Sequence, residues 1–222
     1  MAADPTDRVR ASYDAMAERY AELFAGELEA ARPERGLLDC LAEACAALGG
    51  PVADVGCGPA QAARYLRARG LPALGVDLSP RMVEVARALN PGLDVRVGSL
   101  TALGAADGAW AGAVALYAII HLDPRERPLA FRELARALRP GGWLLVSFHV
   151  SMPGQPPGSA IDLDAWQGVR VNLRGHFLAP DVVAAELAAA GFAPRARLER
   201  GPWVEAEVPS LRCYLLAQRG PG

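Results

Sequence analysis

Asp54-Val55-Gly56-Cys57-Gly58-Pro59-Ala60 is where this chain first sets chemically useful residues at close spacing: an acid near the end of a short apolar run, then two glycines one residue apart. Glycine has no Cβ and adopts positive φ freely, so backbone there can lie against a ligand. A helix starting after such a turn also offers unpaired N–H groups to polar ligand atoms. A second apolar run, Leu74-Gly75-Val76, ends on Asp77, an acid placed to accept hydrogen bonds from a ribose diol. The two stretches outline a nucleoside-binding half-domain. The turn alone would read equally well as a plain strand-to-helix connection.

Proton chemistry falls to three histidines. His121 and His149 each follow an apolar, strand-like run, and His176 lies in an irregular stretch. Imidazole titrates near neutral pH, which makes His121 or His149 the candidate general base, with structural hydrogen bonding as the competing role. Lysine chemistry is excluded, because all 23 basic side chains are arginine. No phosphate-loop lysine and no pyridoxal Schiff base can form. The cysteines Cys40, Cys45, Cys57 and Cys213 show no CxxC pair, which fits reduced core residues better than a disulfide framework or a zinc site. A net charge of −2 gives no reason to expect a nucleic-acid partner.

Holding these residues in place calls for alternating strands and helices. Val9, Tyr13, Met16, Tyr20 and Leu23 recur at three- and four-residue steps after the helix start Asp4-Pro5-Thr6. That stripe either simply packs or lays Tyr13 and Tyr20 over a ligand, since ring faces attract positive charge. A second helix runs from about Pro33 to the Gly49-Gly50-Pro51 stop. Beyond it, strand and helix alternate through Ala60 to Arg69, Ala73 to Val76, Pro80 to Leu89, Leu93 to Val97, Ala111 to Tyr117, a helix from near Pro128, and Trp143 to His149. Parallel strands need such crossovers, so the pattern predicts a doubly wound α/β sheet. Residues 150–178 break the alternation and read as a substrate-side flap, with a short strand over Val169 to Leu173. Pro180 to Ala190 reads as a helix, and Phe192 to Leu198 and Ser210 to Gln218 as strands. A chain of 222 residues, 52% hydrophobic, suits one domain: a helical cap (1–50), a core (51–149), the flap (150–178) and a C-terminal part (179–222).

Three stretches in order, Asp54 to Gly58, Gly75 to Pro80 (GVDLSP) and Leu134 to Val146 (LARALRPGGWLLV), resemble the successive motifs of class I S-adenosylmethionine-dependent methyltransferases. Tyr117 to Leu122 resembles their fourth-strand motif, and Tyr13 to Tyr20 their ligand-covering helix. The resemblance implies a seven-stranded Rossmann-like sheet in the order 3-2-1-4-5-7-6 with the last strand antiparallel. It implies S-adenosylmethionine as cofactor and methyl transfer to a small molecule. Asp54, Gly56, Cys57 and Gly58 would then hold the methionine end, Asp77 the ribose, Leu78 and Met82 the faces of adenine, and Ser99 and Leu100 its polar edge. Tyr117 would lie near the sulfonium and Tyr20 over the cofactor, with Tyr13 toward the substrate; the reading of residues 150–178 as a flap puts Trp166 and Arg170 on the substrate side as well. Ala60 stands where a third glycine is usual, and Ser99 where an acid often meets the adenine amino group.

Two other readings stand beside this one. A nicotinamide-dependent oxidoreductase uses similar logic, but Gln61 occupies the position where a full GxGxxG wants glycine or alanine. A non-catalytic binding protein on the same fold is the other. No apolar run is long enough to span a bilayer and residues 1–10 lack a signal peptide's hydrophobic region. The expectation is a cytoplasmic monomer or homodimer, with no membrane and no nucleic-acid partner.

Overall fold

Buried strands form where small and β-branched residues run unbroken, and the glycine- and proline-rich breaks between them turn the chain into flanking helices. The computed structural model describes residues 4–203 and 207–221. Its helices are α1 (Pro5–Phe24), α2 (Glu27–Ala30), α3 (Arg32–Leu48), α4 (Gln61–Ala68), α5 (Pro80–Leu89), α6 (Arg127–Ala137) and α7 (Pro180–Ala189). Its strands are β1 (Val52–Val55), β2 (Ala73–Asp77), β3 (Asp94–Val97), β4 (Trp110–Leu116), β5 (Leu138–Ser151), β6 (Ala160–Trp166), β7 (Val169–His176), β8 (Phe192–Arg200) and β9 (Leu211–Arg219).

Seven of these strands form one sheet in the order β3-β2-β1-β4-β5-β9-β8. β1 to β5 are parallel, and β9 is antiparallel to both β5 and β8. With the β6–β7 pair set aside as an insertion, this is the expected strand order and the expected antiparallel last strand. Side chains of a strand alternate between faces, so neighbours on β5 serve different cores. Val146 and Phe148 join Phe131, Leu134, Val183 and Leu187 under α6 and α7, whereas Leu145 joins Leu38, Leu41 and Leu66 under α3 and α4. Arg127 is only 5% exposed and donates through Nε and Nη2 to the two carboxylate oxygens of Glu186, each at 3.0 Å. That fork ties α6 to α7, while Nη1 holds the Leu122 carbonyl beside His121 at 3.3 Å.

Residues 150–178 depart from the expected irregular flap. β6 and β7 pair as a two-stranded antiparallel hairpin, with Leu163 opposite Leu173. Its turn is Gln167-Gly168, both at positive φ (47° and 81°), the geometry of a two-residue hairpin turn whose twist matches its strands. Val171 and Leu173 are buried against Met16 of α1. An isolated hairpin is marginal in water, so this one forms because it has a helix to cover.

The same helix is anchored at the far side. The Asp14 carboxylate accepts from the Ser79 hydroxyl at 2.5 Å and from the Arg81 amide at 3.1 Å, and the Ser12 hydroxyl accepts from the Asn172 amide of β7 at 2.8 Å. Helix α1 therefore bridges the start of α5 and the hairpin, roofing the carboxyl ends of the central strands. No described helix is long and apolar enough to cross a membrane.

Candidate functional site

The glycine turn owes its shape to close packing. Gly56 sits at φ 69°, and a Cβ there would fall 2.4 Å from the Ala118 Cβ, so no larger residue fits. Gly58, at φ 52°, lies under the Tyr20 ring. Ala60 is left-handed (φ 59°, ψ 36°) and fully buried at the N-cap of α4. It has no side chain with which to cap the helix, and Asp54 does so from the strand: its Oδ2 accepts from the Ala63 amide at 3.0 Å. The methyl is tolerated in place and the cap is supplied from elsewhere. Burial pushes the Asp54 carboxyl up to about 7.

Asp77 ends β2 as a second organising acid. Oδ2 accepts from the Gly58 amide at 2.8 Å and Oδ1 from the Ser79 amide at 2.9 Å, which locks the carboxylate beside the glycine turn with lone pairs left over. Burial raises it above the ordinary carboxylate range against the opposing effect of these bonds. The Asp77 carboxylate borders a cavity with Leu78, Ser99 and Leu100 along one wall and Gly56, Gly58, Tyr20 and Tyr117 along another. Thr101, also on the wall, has its hydroxyl 3.0 Å from that of Ser99, a contact the isolated sequence did not signal.

The same cavity is also lined by Tyr13 and His121. The imidazole Nδ1 lies 3.0 Å from the Arg174 carbonyl, which can only accept, so the neutral ring carries its proton on Nδ1. Nε2 is then a lone pair, and Tyr13 donates its hydroxyl to it at 2.8 Å. Burial holds His121 below the ordinary histidine value and Tyr13 well above the ordinary phenol value. At neutral pH the pair is an uncharged imidazole and an uncharged phenol.

Other sequence-predicted residues lie off this cavity. His149 faces Ser210, whose hydroxyl is 2.7 Å from Nδ1, and packs on the Tyr117 and Phe177 rings behind the cavity wall. Burial, then the nearby Arg212 charge, lowers it to about 4. Met82 is fully buried beneath the start of α5, inward of the wall that Leu78 lines. Trp166 stacks with Phe24 and tilts against Tyr20, bracing the roof from outside. Arg170 is exposed on β7. Cys57 is buried, 2.9 Å from where a Gly75 Cβ would sit, a contact that explains a small residue there.

Behind the glycine turn lies a second cavity, continuous with the first through Tyr20, Gly56, Gly58, Leu116 and Tyr117. Asp54, Gln61, Glu27 and Glu34 are its polar lining. Glu34 reaches it from α3 and is held from behind by Tyr214 and Arg200. Nothing in the local sequence marked Glu34 or Gln61, because each acts across a distance in the chain.

A doubly wound sheet whose glycine turn and strand-end acid converge on one roofed cavity defines a nucleoside-binding α/β domain. Residues 52–142 match the model of a family described as a methyltransferase domain. Over about a hundred residues the chain is 37% identical to the methyltransferase GfsG of Streptomyces halstedii (45% of this chain, 37% of that protein). It is 35% identical to a probable tRNA methyltransferase 9B of Mus musculus (44% of this chain, 21% of that protein). The chain thus spans well under half the length of these relatives. Among solved structures, the 1,6-didemethyltoxoflavin N1-methyltransferase of Burkholderia thailandensis, with bound substrate and S-adenosylhomocysteine, superposes with a TM-score of 0.70 at 21% identity, covering 99% of this chain and 92% of that one. The 4+2 cyclase SpnF also gives 0.70, at 20% identity over 99% of this chain and 98% of that one. These two likenesses establish the fold. The match to a methyltransferase domain itself lies in the core, over residues 52–142.

Proposed function

We propose that the protein transfers a methyl group from S-adenosylmethionine to a small-molecule acceptor, with His121 as general base acting through Tyr13. The residues fit the cofactor: Gly56 and Gly58 leave room for a ligand against backbone, Asp77 has lone pairs for a ribose diol, and Leu78, Ser99 and Leu100 border the space next to it. Bound there, the cofactor supplies a methyl group activated on a positively charged sulfur. The observation that carries the proposal is the Tyr13–His121–Arg174 chain at the same cavity.

An acceptor hydroxyl beside Tyr13 donates to the phenol oxygen, the Tyr13 proton passes to His121 Nε2, and the Arg174 carbonyl keeps the resulting imidazolium oriented. A base already neutral at working pH needs no prior deprotonation. The remaining task is alignment, which contributes roughly 7–11 kcal/mol in favourable cases. Helix α1 serves it by holding Tyr13 over the cavity and excluding water. The cavity lining carries Asp77 and Glu126 as charged groups and no arginine, which supports a neutral or cationic small acceptor over RNA.

The test pairs calorimetry with turnover. S-adenosylhomocysteine should bind the wild type, and label from S-adenosylmethionine should appear in members of a panel of hydroxylated small molecules. His121→Ala should lose about a hundredfold or more in turnover, the usual contribution of a positioned base, with S-adenosylhomocysteine affinity kept. Binding of NAD in place of S-adenosylhomocysteine, methylation of tRNA alone, or undiminished turnover in His121→Ala would each overturn the assignment it addresses.

A further inference from the structure

Arg127 divides its donors in a way that a tie between two helices does not require. Nε and Nη2 fork onto Glu186 of α7, while Nη1 turns back to the Leu122 carbonyl at 3.3 Å. The two side chains are 6% and 16% exposed. A pair so placed loses much of its attraction to desolvation, and an apolar pair of similar volume often serves stability as well. Holding α6 to α7 is therefore a weak reason to keep a guanidinium there. The bond to Leu122 supplies a better one.

Leu122 closes the short 3-10 turn Ile119–His121, its amide donating to the Ile119 carbonyl at 3.2 Å. Ile119 is fully buried, which pins the start of the turn. The end of the turn runs into the connection to α6, and that connection is a closed box. Asp123 Oδ1 accepts from the Arg125 and Glu126 amides at 2.7 and 3.1 Å, and Glu126 Oε2 accepts from the Asp123 amide at 3.0 Å, the reciprocal capping of a helix start. Arg127, the first residue of α6, reaches back across this box to the carbonyl beside His121. The tips of the imidazole are held by the Arg174 carbonyl of β7 and the Tyr13 hydroxyl of α1, both parts of the roof. The backbone under the ring is held by Arg127, from the side of the core.

We infer that Arg127, locked by Glu186, is a positioning residue for His121: it sets where the backbone carries the imidazole and so keeps Nε2 directed at Tyr13. This rests on the reading of His121 as base and extends it to a pair on α6 and α7 of which neither side chain lines the cavity. The titratable groups around the ring are Tyr13 on α1, His176 on β7 and His149 on β5, and the Arg127 charge acts on His176. Replacing Arg127 and Glu186 together removes one charge of each sign, so a change at His121 reports its position and not a change in net charge.

Nitrogen-15 NMR of the histidine rings in the ligand-free full chain tests this, with His121 assigned by the signal lost in His121→Ala. In the wild type the ring should carry its proton on Nδ1 and titrate below the ordinary value of about 6.5. In the double replacement Arg127→Met with Glu186→Leu the ring, released toward water, should populate both tautomers and titrate closer to that value. Calorimetric affinity for S-adenosylhomocysteine should stay within about twofold, which doubles as the folding control. With an acceptor from the hydroxylated panel, kcat should fall about tenfold or more at unchanged KM for S-adenosylmethionine, the scale of a misplaced reacting group. The acid limb of its pH profile should move up with the ring. Arg127→Lys serves where the double variant fails to fold: the ammonium keeps the charge beside Glu186 but lacks the planar fork that spans both carboxylate oxygens and the carbonyl, so it should shift the ring in the same direction. His121 signals that match the wild type in both variants overturn the inference. A shifted ring with undiminished kcat upholds the positioning and overturns the reading of His121 as base.

Discussion

Asp54→Asn isolates the energetic role of the acid in the glycine turn. The side chain is 3% exposed and its Oδ2 accepts from the Ala63 amide, a role that asparagine's carbonyl oxygen can keep. Burial moves the carboxyl from 3.8 to about 7 in the ligand-free fold. A carboxyl raised on folding contributes stability in full below its unfolded pKa and loses it as pH rises through the folded one. The window therefore runs from about pH 4 to about pH 7. At 1.36 kcal/mol for each tenfold change in proton affinity, the rise from 3.8 to about 7 amounts to about 4 kcal/mol, of which roughly 2.6 kcal/mol falls between pH 5 and pH 8. Urea unfolding of ligand-free wild type and variant at those two pH values reads it directly. The wild type should lose more stability than Asp54→Asn on going to pH 8, by about 2–3 kcal/mol. Other raised acids contribute to both proteins and cancel in the comparison, except Asp77, whose charge adds to the rise at Asp54 and which therefore cancels only in part. Parallel pH dependences in the two proteins would refute the argument that burial, uncompensated by a cation, sets this carboxyl.

Arg127→Met should cost about 3–5 kcal/mol in unfolding free energy, because it strands Glu186 in a mostly buried site. The double replacement Arg127→Met with Glu186→Leu should recover most of that loss. Ala60→Gly should leave the urea midpoint nearly unchanged. Relief of a left-handed alanine, about 1–2 kcal/mol, is offset by the lost burial of a methyl, about 0.8 kcal/mol, and by about 0.4–1 kcal/mol of extra unfolded-chain entropy. A shift beyond about 1 kcal/mol either way would show that one of these contributions is misjudged.

The parts of the fold visible in the sequence were those set by local patterning. The apolar runs through Val52 to Val55, up to Asp77 and over Ala111 to Tyr117 read as buried parallel strands, and the turn residues between them left little freedom in the helix boundaries. The β6–β7 hairpin was hidden because Met152 to Gly158 is rich in proline and glycine, and because the hairpin exists through its contact with Met16, far away in the chain. At the site, Asp77 and His121 could be read as strand-end residues on the ligand edge. His149 occupies the corresponding end of β5, yet Tyr117, at φ 55° with its N–H donating to the Ser147 carbonyl, stands between it and the cavity. Which of the two histidines lines the cavity is decided by that left-handed residue. Glu34 and Gln61 carry no local signature, since their hydrogen-bond partners Tyr214, Arg200 and Leu28 lie far from them in the chain.

Helix α1 is fastened by Asp14 and Glu18 to the start of α5, by Tyr13 to His121 and by Ser12 to the hairpin. These attachments sit over both the nucleoside end and the acceptor end of one cavity. On the proposed reading, nucleoside and acceptor lie under one and the same helix, α1. A molecule lodged at either end adds to the adhesion of the same helix. The arginines along α1, Arg8, Arg10 and Arg19, become an external gauge of occupancy, and their cleavage by trypsin slows as the interior fills.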